Sequence, residues 1–170
     1  MATPGYTVNN LMAGAQQNVA VTPGITILRL NAPAAAFKRF FVWELDLGQS
    51  GPPNATDCSV QWWLAQCSAT AAGTGSATTP EPTGGGFVAA ANIDIAVTVA
   101  TGNYTAEPTT YTAGQSFYAK AINQRSGAFW QAAPGGELYF PQLASTGPGL
   151  RCYSATYAST ALARLNFTEI

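Results

Sequence analysis

The chain has 170 residues, of which 9% are charged, with a formal net charge of −1 and no histidine. The lack of histidine excludes Ser-His-Asp and Cys-His catalysis and zinc sites built on imidazole, and seven scattered basic residues argue against a nucleic-acid groove. Since globular chains usually carry about 25% charged residues, so few charges indicate a surface that other subunits partly cover or that faces the outside of a cell.

The first seventeen residues predict an extended N-terminal arm, and residues 18–170 predict a single β-domain. Proline, glycine and asparagine interrupt the arm and leave little periodicity, which also fits a frayed terminus. The apolar side chains that would grip a neighbouring subunit are Tyr6, Val8, Leu11 and Met12. The N-terminal residues show no basic region and no apolar core of a signal peptide, and no run approaches the ~20 apolar residues of a membrane helix. We therefore expect synthesis in a cytoplasm and no membrane partner.

Residues 18–31 predict the next strand pair, with a break at Thr22, Pro23 and Gly24. The apolar alternation changes phase after Ile27, because Leu28 follows it directly. Such a change indicates a β-bulge or a strand that is buried on both faces.

Two aromatic-rich runs, Phe40–Leu47 and Cys58–Cys67, flank a loop full of turn residues. They predict adjacent antiparallel strands joined by a projecting tip at Gly48–Asp57. Strand alternation predicts that one face of the first run carries Phe41, Trp43, Leu45 and Leu47, and that the other carries Val42, Glu44 and Asp46.

Glu44 and Asp46 would then lie together on the solvent face of this strand. Two carboxylates at this spacing suggest acid–base or metal chemistry. No other ligand type lies nearby in the sequence, so the solvated face of a half-buried strand is the better interpretation. The sequence therefore predicts no catalytic residue, no metal and no cofactor; an enzyme would need this pair, or a cysteine or lysine nucleophile.

Three cysteines, Cys58, Cys67 and Cys152, are an odd number and predict buried thiols in a reducing compartment. A bridge from Cys152 to either of the others remains an alternative. Adjacent Trp62 and Trp63 should point to opposite faces of their strand, so at most one of them could join a stacking platform for sugars. The other aromatic side chains available to such a platform are Trp130, Tyr104 and Tyr111.

The remaining segments alternate as short strands after a small-residue stretch at 66–86. Further strands are predicted at Ile93–Val99, Gln115–Asn123, Leu138–Phe140, Leu150–Tyr157 and Ala161–Thr168. No convincing amphipathic helix of ten or more residues is predicted. The sum favours an all-β fold, an antiparallel β-sandwich of which a jelly roll is one form, with a closed barrel as second choice.

Several segments follow one another in an order that resembles a group of small virion proteins of tailed bacteriophages. These segments are Val21–Ala36, Arg39–Leu47, Val60–Gln66, Cys67–Pro82 and Pro134–Glu137. The resemblance implies a β-sandwich on the capsid surface of a virion, made in the host cytoplasm. It implies a decoration or cement protein that has no enzymatic activity and binds the major capsid protein.

Within this resemblance the contact elements would be the arm and the loop tips at Gly48–Asp57 and Gly73–Gly86. The predicted interface residues are Tyr6, Val8, Leu11, Met12, Gln49, Pro52, Pro53 and Asn54. A homo-oligomer is expected, with a trimer as the guess, and no nucleic-acid partner. The alternative is a receptor- or carbohydrate-binding module of a tail tip or fibre.

Overall fold

Two antiparallel sheets hold the strands of the chain. The computed structural model describes residues 5–11, 19, 24–31, 39–68, 76–78, 80–83, 99–102, 110–111, 116–141, 146–157 and 159–169. Within those ranges no helix is long and apolar enough to span a membrane. The predicted all-β class with two antiparallel sheets is confirmed.

Sheet 1 is centred on the last strand of the chain. Its strands, in spatial order, are Glu81–Pro82 (β6), Gly5–Asn9 (β1), Ala161–Glu169 (β13), Phe40–Gln49 (β3) and Ala128–Gln131 (β10), and Leu138–Phe140 (β11) also pairs with β3. The predicted terminal strand is confirmed, and it lies inside the sheet between β1 and β3.

Sheet 2 is centred on the strand that precedes β13 in the chain. Its strands, in spatial order, are Ser76–Thr78 (β5), Val99–Gly102 (β7), Ile25–Asn31 (β2), Thr146–Tyr153 (β12), Ser59–Ser68 (β4) and Thr110–Tyr111 (β8), and Tyr118–Asn123 (β9) also pairs with β4. Of the predicted strand Ile93–Val99, only Val99 lies within the described residues.

The strand order is that of a jelly roll. Strands β1, β2, β3 and β4 alternate between the two sheets, while β12 lies between β2 and β4 and β13 lies between β1 and β3. The prediction that Phe40–Leu47 pairs with Cys58–Cys67 is therefore wrong. Those runs form β3 and β4, which belong to different sheets, because the loop between them crosses from one sheet to the other.

Two β-bulges reset which side chains face the core. The partners of β12 jump from Leu28 to Thr26 and leave Ile27 as the extra residue, as the phase change predicted. The partners of β13 jump from Glu44 to Val42, so that Trp43 has no partner residue in β13. The second bulge was not predicted, and it corrects the assignment of faces along β3.

Before this second bulge, the buried residues of β3 are Phe40 and Val42, and after it they are Leu45 and Leu47. Phe41 and Trp43 are only partly buried and do not share the core face with Leu45.

One hydrophobic core lies between the sheets. Its largest fully buried side chains are Trp62, Tyr6, Tyr157, Phe40, Phe140 and Phe167. Burial of such a side chain contributes about 1.5–3 kcal/mol relative to an exposed one. Along one edge the ring of Tyr118 in β9 lies 5.8 Å from that of Trp130 in β10, which joins the two sheets. Cys67 and Cys152 are buried and Cys58 is half-buried, and all three are thiols, as predicted.

The described part of the predicted arm is a strand of sheet 1. Gly5–Asn9 pairs with β13 on one side and with β6 on the other. Tyr6 and Val8 are fully buried in the chain's own core, so they cannot form the predicted interface. Leu11 follows in an exposed turn, and residues 1–4 and 12–17, including Met12, lie outside the described residues.

Candidate functional site

The outer face of sheet 1 carries a row of polar side chains at its centre. Arg164 and Asn166 of β13 stand opposite Asp46 and Glu44 of β3. The Glu44 carboxylate accepts hydrogen bonds from Arg164 Nη2 at 3.0 Å and from Asn166 Nδ2 at 2.6 Å. Arg164 Nη2 also lies 3.7 Å from Asp46 Oδ2.

The structure of this row corrects the prediction that Glu44 faces solvent and confirms the same prediction for Asp46. Glu44 is only 9% exposed, so it does not lie on a solvated face, because Arg164 and Asn166 enclose it. Asp46 is exposed, as predicted. In the part of the chain that the structure describes, no three metal-binding side chains gather into a site. Glu44 pairs with a cation and an amide, and Asp46 lies near the same cation.

An aromatic patch occupies one end of the same face; it consists of Phe41, Trp43 and Tyr139. Tyr139 is 43% exposed, and its ring centroid lies 5.3 Å from that of Phe41, directly across the strand pair. The Trp43 ring lies over Gly5, where an added Cβ would be 3.6 Å from Trp43 Cζ2. The sequence did not reveal this patch, since simple alternation placed Phe41 and Trp43 in the core.

A groove lies at the opposite end of the face, beyond Asp46. Its volume is about 610 Å³, and it is lined by Asn9, Leu11, Asp46, Leu47, Gly48, Gln49, Gly51, Pro53, Gln124, Arg125, Ser126, Gly127, Leu162 and Arg164. Gly48 lies at this site, and a Cβ added to Gly48 would meet no atom within 4 Å. The groove thus exists partly because β3 carries no side chain at this position.

The loop that walls the groove is held by a hydrogen-bond network around Gln124. This side chain, only 4% exposed, accepts from the backbone N–H of Asn54 and donates to the carbonyls of Asn54 and Thr56. Arg125 forms an ion pair with Asp57 beside it, and the guanidinium holds the pKa of the Asp57 carboxyl below its usual range. The predicted projecting tip is therefore a fixed wall.

The groove brings together some of the predicted interface residues and separates others. Leu11, Gln49 and Pro53 line it, although Leu11 lies far from the other two in the chain. Pro52 is exposed beside them, and Asn54 secures the loop by donating to the Thr156 carbonyl at 2.9 Å.

The tryptophans do not assemble a stacking platform. Trp62 is buried in the core, while Trp63 lies on the outer face of sheet 2 with the Arg151 guanidinium 5.2 Å from its ring. Their opposite orientations were predicted. Trp130 packs against Tyr118, where burial raises the pKa of the phenol. Tyr104 and the side chain of Tyr111 lie outside the described residues.

Sheet 1 presents an aromatic patch, a charged row and a preformed groove on one continuous face, and the charged groups along that face are already engaged with one another. Comparisons with protein-family models, curated protein sequences and solved structures find no match to this chain.

Proposed function

We propose that this protein is a non-enzymatic structural protein of a virion, a decoration or cement protein that binds the outer surface of a phage head. Its partner would be the major capsid protein, and its role would be to stabilise contacts between capsomers. The observation that carries the proposal is the aromatic patch. The resemblance of the sequence to small phage virion proteins supplies the identity of the partner.

The aromatic patch has the chemistry of a protein interface. Aromatic residues are enriched at the cores of interfaces, and exposed apolar clusters on soluble domains mark contact sites. Phe41 and Trp43 share this patch with Tyr139, whose ring leaves much of its surface in water. Covering that ring with a partner would remove apolar area from water and stabilise the complex.

Weak contacts are sufficient for a decoration protein, because a capsid repeats the same site many times and a homo-oligomer engages several sites at once. The low share of charged residues also fits a surface that is covered by other subunits in an assembly. The trimer remains a prediction.

Copy number per particle tests the proposal. Quantitative mass spectrometry of virions whose genome encodes this chain should find hundreds of copies, in a near-integer ratio to the major capsid protein. A few dozen copies would instead place the protein in the tail or at a vertex and favour receptor binding. Absence from the particle would overturn the proposal.

A variant tests the surface. Tyr139→Ser should keep the fold, with a loss of about 1 kcal/mol or less because the ring is exposed and contacts mainly Phe41. Added back to particles that lack the protein, it should fail to raise their dissociation temperature. Tyr153→Ser, a matched change on the outer face of sheet 2, should act like wild type. Equal activity of both variants would contradict the assignment of the surface.

A further inference from the structure

We propose that the groove at the end of sheet 1 binds a neutral saccharide. This site is separate from the aromatic patch and does not depend on the proposed capsid contact. Two members of the polar row, Glu44 and Asn166, lie between the groove and the aromatic patch. The argument rests on the shape of the groove, its polar groups, one exposed ring and the balance of its charges.

The size and shape of the groove fit a small sugar. Binding pockets for small molecules usually measure about 300–1,000 Å³, and this groove measures about 610 Å³. Its depth at Gly48 comes from the missing side chain, since an added Cβ would meet nothing within 4 Å. It is open to solvent, so the remainder of an oligosaccharide could extend outward.

The polar groups are of the kind that recognise hydroxyl groups. Asp46 exposes about half of its side chain (54%), and Arg164 lies beside it with 43% exposed. The Asp46 carboxylate can accept hydrogen bonds from hydroxyl groups, and the N–H groups of Arg164 that do not face Glu44 can donate to them. Asn9 stands across from Arg164 in the strand register and completes this side of the groove.

An exposed aromatic ring stands next to these groups. Phe129 is 56% exposed, the highest value among the large apolar side chains of the described residues. It lies directly opposite Asp46 in the pairing of β10 with β3, which places the two Cβ atoms about 4.5–5.5 Å apart on the same face. The C–H face of a pyranose ring could cover Phe129 while its hydroxyls reach Asp46, so that apolar and polar parts of one sugar are both satisfied.

The charges at the groove favour a neutral ligand over an anionic one. Arg125 is engaged by Asp57 and by the Asn54 carbonyl, and Arg164 is engaged by Glu44. Asp46 is the carboxylate among the lining residues and would repel an acidic sugar at close range. The hydrogen bonds of Gln124 fix the opposite wall before any ligand arrives, which lowers the entropic cost of binding.

The experiment screens the purified full chain by saturation-transfer NMR against trisaccharides of glucose, galactose, mannose and N-acetylglucosamine, with sialyllactose as the anionic comparison. At least one neutral probe should bind, and more tightly than sialyllactose. Phe129→Ala should weaken binding about tenfold through the lost stacking. Gly48→Leu should abolish binding, because the new side chain fills the groove without displacing any atom near its Cβ.

Tyr139→Ala, on the same face but outside the groove, should bind sugar like wild type. Circular dichroism checks that each variant folds. If Gly48→Leu does not fold, Phe129→Ala tests the proposal, since the Phe129 side chain is exposed and its removal should not disturb the fold. No binding of any neutral probe, or binding that both groove variants leave unchanged, would overturn the proposal. Gly48→Leu should still bind capsids, so failure of the sugar site and failure of the capsid contact are told apart.

Discussion

The outer faces of the two sheets differ in how far their aromatic side chains are exposed to solvent. On sheet 2, Trp63 is half-buried: the Arg151 guanidinium stacks on its ring, and Gly24 approaches so closely that an added Cβ would lie 2.7 Å from Trp63 Cη2. On sheet 1, Tyr139 and Phe129 remain exposed. The chain thus covers Trp63 in part on sheet 2 and leaves two rings exposed on sheet 1.

Under the proposed function, this difference predicts which face contacts a partner. Arg151 and Gly24 cover Trp63 in part, and sheet 1 has an arginine of its own. Arg164, however, turns toward Glu44 and Asp46 and covers no exposed ring in the described region. Apolar surface left open beside satisfied charges resembles the core and rim of an interface. We therefore expect contacts to form on sheet 1 and not on sheet 2.

The largest expected effect comes from breaking the charged row of sheet 1. Arg164→Ala leaves the buried Glu44 carboxylate without its cation, while Asn166 still donates a hydrogen bond to it. The free energy of unfolding should fall by about 2–3 kcal/mol, measured by urea denaturation. The double variant Glu44→Ala, Arg164→Ala should lose less than the two single losses added together. Full additivity would show that the two groups are not coupled.

The next largest loss of stability is expected where Gly24 packs against Trp63. Gly24 has a φ of +106°, which side-chain-bearing residues rarely adopt, and Gly24→Ala also drives a methyl group against the indole. We expect a loss of about 2 kcal/mol. Gly135→Ala provides the comparison, because that glycine also has positive φ but no atom within 4 Å of an added Cβ. If the two variants lose the same stability, packing against Trp63 contributes nothing.

A smaller effect is expected from the guanidinium itself. Arg151→Ala removes the cation from the Trp63 ring and the hydrogen bond that Arg151 Nη2 donates to the Gly24 carbonyl at 3.1 Å. The loss should be about 1 kcal/mol, and acrylamide should quench the tryptophan fluorescence more strongly. Unchanged quenching would mean that Arg151 does not cover the ring, and the contrast between the faces would weaken.

The smallest effect concerns the wall of the groove. Arg125 lowers the pKa of Asp57 from its reference of 3.8, so the ion pair stabilises the folded state above that value. This contribution disappears as the pH falls through the lowered pKa. Asp57→Asn should therefore be slightly less stable than wild type at pH 7, and the difference should shrink as the pH falls further below 3.8. A difference in stability that does not change over this range would rule out the ion pair as its cause.

The sequence predicted the fold class but not the surface. Alternation identified several of the strands, the opposite orientations of Trp62 and Trp63, and the phase change at Ile27, because all of these are local. It could not detect the bulge at Trp43, which exists only through the pairing of β3 with β13. That single extra residue moves Phe41 and Trp43 out of the core and creates the aromatic patch.

Long-range partners account for the other differences. Glu44 was expected to face water because Arg164 and Asn166, which enclose it, lie 120 and 122 residues further along the chain. Alternation also shows which way a side chain points but not which strand lies alongside, so β3 and β4 were wrongly paired. The groove depends on the fixed loop around Gln124, whose contacts span about 70 residues.

Hydroxyl-radical footprinting of the protein, free and bound to capsids, tests the central claim most directly. The side chains to compare are Phe41, Trp43 and Tyr139 on sheet 1 with Trp63 and Tyr153 on sheet 2. Docking through sheet 1 predicts that labelling of the first three falls on binding, while labelling of the other two stays constant. Protection of Trp63 and Tyr153 with Tyr139 still reactive would contradict the account.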